Sequence, residues 1–240
     1  QMQGLYSTED NEHPGGCQMI GQTLVVAHEN GASHLPAKSW IAFYDAAQPE
    51  AIQEVNRMYM DGIDARGRRF PLIAKGQATC VAISRLANQH YLLFALDGRR
   101  SLKRKKAWFF LSTTTELATT EWVFHQLWQQ QEALPNEAVW REYESMAMLT
   151  DCEKGQLFLC CFTGQGTRNA IDVFELRLNE RGYFHLIKVM EKEVRTRSGG
   201  ASFRAGASFH VDPNHQLILY AVEKDETGQW MMVEEFVGAR

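Results

Sequence analysis

The sequence predicts an all-β fold, and three observations carry that prediction. Four short apolar, β-rich segments recur along the chain: Thr23 to Ala27, Tyr91 to Leu96, Leu157 to Phe162 and Leu217 to Val222. Aligned on Leu24, Tyr91, Leu157 and Leu217, they stand 67, 66 and 60 residues apart. Each is followed after a loop by a further strand-like segment, at an offset of 17, 17, 15 and 14 residues to Ile41, Trp108, Asp172 and Met231. A unit that recurs at such a period marks a repeat architecture, because one unit alone has no partner for its apolar face.

The unit is most compact in the stretch from Arg204 to Val222. Ala205, Gly206, Ala207 and Ser208 open a strand with little side-chain bulk, Asp212-Pro213-Asn214-His215 has turn chemistry, and Gln216 to Val222 is apolar and β-rich. The corresponding first strands are Gly15 to Ile20, Gln77 to Ser84 and Glu144 to Leu149. Third strands are expected at Trp40 to Tyr44, Trp108 to Leu111, Ile171 to Leu176 and Trp230 to Val233. Fourth strands fit Ala51 to Met58, Trp122 to Trp128 and Phe184 to Met190. Four antiparallel strands per repeat is the pattern of a β-propeller. Small residues at Gly15-Gly16, Ala78, Ala147 and Ala205 to Ala207 then have a physical reason, since inner strands converge on the axis. The expectation is one domain over residues 1–240, with units at about 13–60, 75–130, 142–192 and 203–236 and a ring closed by an outer strand from Met2 to Ser7. Two segments compete with this reading. Pro49 to Met60 and Glu116 to Glu132 both show apolar residues at helical spacing, and helices there would make the fold α+β.

The HPGGCQ opening (His13 to Gln18) and the AGASFHVDPNHQLILYAVEKDE close (Ala205 to Glu226) resemble segments of uncharacterised bacterial β-propeller-like repeat proteins. The resemblance implies the propeller fold and no particular activity.

Composition bounds the function. A hydrophobic content of 45% supplies a sizeable core, and a formal net charge of −4 gives no general attraction to nucleic acid or anionic membrane. No run approaches the roughly 20 apolar residues of a membrane helix. Residues Gln1 to Pro14 lack the basic start and apolar middle of a secretory signal, which favours a cytoplasmic chain unless its N-terminus is trimmed. The five cysteines form no C-x-x-C pair; adjacent Cys160 and Cys161 in a strand point to opposite faces, so reduced, buried thiols are expected. No H-E-x-x-H or paired-Cys spacing indicates a metal, and no cofactor motif is present.

In a propeller, the loops before each first strand and between second and third strands share one face around the channel mouth, the default ligand site. That face is expected to carry His13, His28, Glu29, Asn30, Asp97, Arg99, Arg100, Glu142, Glu144, Thr163, Gln165, Arg204, Glu223, Lys224, Asp225 and Glu226. This mixture suits a polar small molecule, a glycan or a protein partner, bound without catalysis. The alternative is a glycan-acting hydrolase using two of Glu29, Glu144 and Glu223, which come from different units; such chemistry needs two carboxylates facing across a pocket. Arg99 to Lys106 holds six basic residues in eight, and Lys103, Arg104, Lys105 and Lys106 make it a candidate polyanion-docking loop. No aromatic is interleaved for base stacking, so sequence-specific nucleic-acid binding is not expected.

Overall fold

The computed structural model describes residues 12–30, 39–70, 78–97, 106–129, 140–165, 168–195, 201–203, 206–222 and 233–237. They form fifteen strands and no helix. The first sheet holds β1 (Glu12–Ile20), β2 (Thr23–Asn30), β3 (Trp40–Asp45) and β4 (Gln53–Tyr59). The second holds β5 (Ala78–Arg85), β6 (Tyr91–Asp97), β7 (Lys106–Ser112) and β8 (Trp122–Gln129). The third holds β9 (Ser145–Asp151), β10 (Gln156–Gln165), β11 (Arg168–Leu178) and β12 (Phe184–Arg195). The fourth, three-stranded among the described residues, holds β13 (Ala207–Val211), β14 (Leu217–Val222) and β15 (Val233–Val237). Every sheet is an antiparallel meander with strands in sequence order, and the first strands of consecutive sheets lie side by side. The chain is a four-bladed β-propeller.

Both segments with helical spacing are strands. Each pairs antiparallel with the third strand of its blade, so β4 and β8 satisfy their backbone groups in the ladder. Their apparent helical period has a cause in the structure. A β-bulge interrupts the pairing of third and fourth strands at the same place in three blades, leaving Val55, His125 and Val189 as the extra residues. A bulge shifts the side-chain alternation by one, so residues three apart, such as Glu54 and Arg57, come to one face. In the fourth blade the described part of the third strand runs from Val233, in register with Val222; Trp230 to Met232 and the proposed closing strand Met2 to Ser7 lie outside the described residues.

Three apolar layers lie between consecutive blades. Val25, Ala27, Ile41 and Phe43 of the first blade pack on Val81, Ile83, Leu93, Trp108 and Phe110 of the second. Ala82, Phe94 and Phe109 of the second meet Met146, Leu159, Phe174 and Leu186 of the third. Phe162, Ile171 and Val173 of the third meet Phe203, Ala207 and Leu219 of the fourth. Each such buried side chain contributes about 1.5–3 kcal/mol relative to exposure. Cys160 and Cys161 fall into different layers, as strand alternation requires, and both are free thiols. Burial pushes the Cys160 thiol up to about 12.

The axis is tightly filled. A Cβ on Gly15 would stand 2.0 Å from the Thr79 carbonyl oxygen, and one on Gly16 would stand 2.9 Å from the Glu144 carbonyl oxygen and 3.1 Å from Cys80 Sγ. Only glycine lets β1 approach its neighbours so closely. Below this crossing, Gln18 Nε2 donates to the Met148 carbonyl at 3.0 Å, and its Oε1 accepts from Met148 N–H and Ile83 N–H, both at 2.9 Å. One buried amide thereby joins the inner strands of three blades. Serines tie successive blades near the opposite rim: Ser39 Oγ accepts from Ala78 N–H at 3.0 Å, and Ser145 Oγ from Ala207 N–H at 2.9 Å.

Candidate functional site

On the face where first strands begin, a cleft of about 780 Å³ runs across the third blade, lined by Arg141, Glu142, Glu144, Thr163, Gly164, Arg168, Asn169, Ala170, Glu191 and Glu193. Its inner end is Glu144, whose carbonyl faces Gly16 near the axis, and its outer end is the edge strand β12. Buried Asn169 fixes one wall: its Oδ1 accepts from Phe203 N–H at 2.9 Å and its Nδ2 donates to the Ala201 carbonyl at 3.3 Å.

Beneath the cleft lies a charged cluster built on Asp172, which is wholly buried in β11. Tyr143 O–H donates to Asp172 Oδ2 at 2.6 Å, Arg141 Nε lies 3.6 Å from the same oxygen, and Lys188 Nζ lies 2.8 Å from Oδ1. Glu191 stands directly across the strand pair from Asp172. Two opposed carboxylates repel, and here Lys188 and Arg141 lie between them. Lys188 Nζ is 2.7 Å from Glu191 Oε2, and the Arg141 guanidinium pairs with Glu191 Oε1. The bulge at Val189 places Lys188 and Glu191 on one face. Burial disfavours the Lys188 ammonium, yet the close carboxylates of Asp172, an ion-pair partner, and of Glu191, a hydrogen-bond acceptor, outweigh it and raise its pKa. The bond to Lys188 holds the Glu191 carboxyl below its ordinary value, with Arg141 adding to the effect. Burial, then the neighbouring Cys161 thiol and the bond to Asp172, push the Tyr143 phenol far up.

The bulges give an internal reference for this cluster. Counting from them, Asp172, Lys188 and Glu191 of the third blade correspond to Trp108, Phe124 and Leu127 of the second, and to Ala42, Glu54 and Arg57 of the first. The second blade fills these three positions with packed apolar side chains. The fold therefore does not require charge there.

The residues expected at the channel mouth are distributed as follows. Glu142, Glu144 and Thr163 line the cleft. His28 is on the same rim but buried, its ring stacked on Trp40 at 5.1 Å and its Nε2 3.1 Å from the Tyr44 hydroxyl. The Arg57 guanidinium covers Trp40 at 4.9 Å. These contacts are packing within the first blade. Asp97 is wholly buried at the end of β6, across from Lys106, which is half-buried as the first residue of β7. His13 and Glu29 are paired in register at the rim. The side chains of His13 and Glu29 lie outside the described residues, as do Arg99, Arg100, Lys103, Arg104, Lys105, Arg204, Glu223 and Asp225 altogether. Sequence reasoning missed Arg141, Tyr143, Asp172, Lys188 and Glu191. One signal pointed to them: a lone acid, Asp172, interrupts the apolar run Ile171-Asp172-Val173-Phe174.

A second groove, of about 380 Å³, lies between β8 and the turn joining β11 to β12. Its polar groups are engaged in joining the blades. Gln126 exchanges two hydrogen bonds with the backbone of Phe184, at 2.7 and 2.9 Å, and His125 Nε2 lies 3.0 Å from the Gly182 carbonyl.

No protein-family model matches the chain, and no curated protein matches it in sequence. Solved structures similar to it include the β-propeller domain of the trilobed protease from Pyrococcus furiosus, with 8% identity, a TM-score of 0.34 and 96% of this chain covered. A mannose phosphorylase from Leishmania mexicana shows 10% identity, a TM-score of 0.42 and 95% coverage. A glycoside hydrolase so described from Bacteroides ovatus shows 14%, 0.44 and 95%. The chain spans 56, 63 and 69% of those three proteins' own lengths, respectively. The activities in those names belong to those proteins.

Proposed function

We propose that this chain is a non-catalytic recognition module that takes a polar ligand in the cleft across its third blade. The observation that carries the reading is the cleft itself: it has the size of a small-molecule site, it opens on the loop-bearing face, and both signs of charge line it. Its floor supports binding over chemistry. Acid catalysis needs one carboxyl held apart from counter-charges in apolar surroundings, whereas Asp172 and Glu191 are each bridged to Arg141 and Lys188. The hydrolase alternative rests here on Glu144, the one of its three candidate acids whose side chain is described, and it lies on the cleft wall.

A thermal-shift panel of neutral sugars, amino acids, nucleotides and acidic sugars tests the reading on the wild type and on the double variant Arg168→Ala/Glu193→Ala, which alters two exposed lining residues. A compound at about a hundred times its dissociation constant adds roughly 2.7 kcal/mol of stability. Hits are expected to weaken at least tenfold in the double variant while its own melting temperature stays unchanged. Hits of undiminished strength would place recognition elsewhere. Glycoside turnover that disappears in Glu144→Gln would replace recognition with hydrolysis.

A further inference from the structure

The charged cluster under the cleft is costly to the fold and unnecessary to it. Removing charges from water costs several kcal/mol per ion, and a well-packed apolar replacement is often neutral or stabilising. The second blade shows that replacement in place, with Trp108, Phe124 and Leu127 at the positions of Asp172, Lys188 and Glu191. The first blade carries a partly exposed Glu54–Arg57 ion pair at two of these positions, with Ala42 at the third; of the three blades only the third buries an acid there, and a cleft opens above it.

The cluster is also unequal in its parts. Asp172 is out of reach of any ligand, and its two oxygens, bonded by Tyr143 and flanked by Arg141 and Lys188, fix both cations in place. The fourth member differs. The Glu191 side chain is 46% exposed, projects from the edge strand β12 and lines the cleft. Its carboxylate is a two-oxygen anion lying on an Arg and a Lys, one oxygen to each. Without it, two cations face one buried anion, and the cluster carries a net positive charge toward the cleft.

From this geometry we propose that Arg141 and Lys188 are the receiving pair for the carboxylate of a polar ligand, and that Glu191 is the chain's own stand-in, displaced when the ligand binds. Asp172 and Tyr143 are positioning residues that hold the pair. The ligand class is a carboxylate-bearing polar molecule such as an acidic sugar, since guanidinium and ammonium together match a planar carboxylate and the cleft above accommodates hydroxyls. This rests on the reading of the cleft as a ligand site. A stand-in that must leave makes the resting protein a weak binder, and removing it makes the protein a strong one.

The test compares glucuronate with its uncharged counterpart glucuronamide, and acetate as the minimal anion, by calorimetry and thermal shift at fixed ionic strength. The proteins are the wild type, Glu191→Gln, and Glu191→Gln combined with Arg141→Gln. Glu191→Gln alters an exposed side chain, and circular dichroism checks its fold. Glucuronate and acetate are expected to bind Glu191→Gln at least about tenfold more tightly than the wild type, glucuronamide to bind both alike, and the gain to vanish in the double variant. Equal binding of glucuronate to wild type and Glu191→Gln overturns the proposal. If glucuronamide and neutral sugars nevertheless bind and are weakened by Arg168→Ala/Glu193→Ala, the cleft remains a recognition site without a carboxylate pair. If no compound binds any of these proteins, both readings fall.

Discussion

Replacing Gln18 by leucine removes a side chain that joins the inner strands of three blades. The wild-type amide engages the N–H and carbonyl of Met148 and the N–H of Ile83, all buried on the axis. Leucine fills a similar volume but leaves three backbone groups without a partner. A hydrogen bond contributes about 1 kcal/mol net, and orphaning a buried donor or acceptor costs about 1–3 kcal/mol. With three groups orphaned the expected loss is therefore about 3–9 kcal/mol, and at about 2–4 °C per kcal/mol for a chain of this size the melting temperature falls by at least about 6 °C. Differential scanning calorimetry reads it. Gln18→Glu separates the contributions: a carboxylate still accepts from the two N–H groups but cannot donate to the Met148 carbonyl, and it brings a charge onto the axis. Its loss is expected to equal or exceed that of leucine. A shift below about 2 °C for Gln18→Leu would show that water reaches these groups, making the axis a wet channel and the clamp incidental.

Two further perturbations follow from the same geometry. Gly15→Ala puts a methyl group 2.0 Å from the Thr79 carbonyl oxygen, a contact that backbone must move to relieve; a loss of about 3 kcal/mol or more is expected, read as reduced soluble yield and a lower melting temperature, and a neutral result would mean β1 and β5 separate easily. Burial, followed by the nearby Arg57 charge, lowers the His28 pKa, with Glu54 opposing. The native imidazole thus stays neutral where the unfolded one gains a proton, so the stabilisation is present above the ordinary value of about 6.5 and is lost as pH falls below it. The slope approaches 1.4 kcal/mol per pH unit at most. Melting temperature measured from pH 7.5 to 5 is expected to fall more steeply in the wild type than in His28→Phe, and parallel curves would show that His28 does not titrate differently in the two states.

The repeat was legible because it is written in apolar period and in glycine. The four second strands, the burial of Cys80, Cys160 and Cys161 and the crowding behind Gly15-Gly16 were read from residue type alone, whereas Cys17 and Cys152, expected to be buried as well, are exposed. The helical spacing at Pro49 to Met60 and Glu116 to Glu132 misled for a definite reason: a bulge shifts the alternation by one, and an apolar pattern with such a shift has spacings of both two and three. The recurrence of Trp40 and Trp108 was similarly approximate. Both face the preceding side of their blades, but counted from the bulges they stand two residues apart. Of the candidate site, Glu142, Glu144 and Thr163 were reached by sequence reasoning, all three on the cleft wall. Loop residues were chosen for polarity, whereas the charged cluster beneath the cleft comes from the middle of β11 and β12, where a single sequence does not reveal that Asp172 is buried or that Arg141 lies against it.

The stitching at the axis is unevenly shared. Gln18 joins β1, β5 and β9, while the fourth blade is tied to the third through Ser145, Asn169 and the layer around Phe162. Local openings draw on the least connected unit first. Amide protons of β13 to β15 should thus exchange with solvent through an opening that leaves β5, β6 and β10 protected. The Asn169 wall of the cleft lies on that seam, so a ligand held there would slow exchange in a sheet it does not touch.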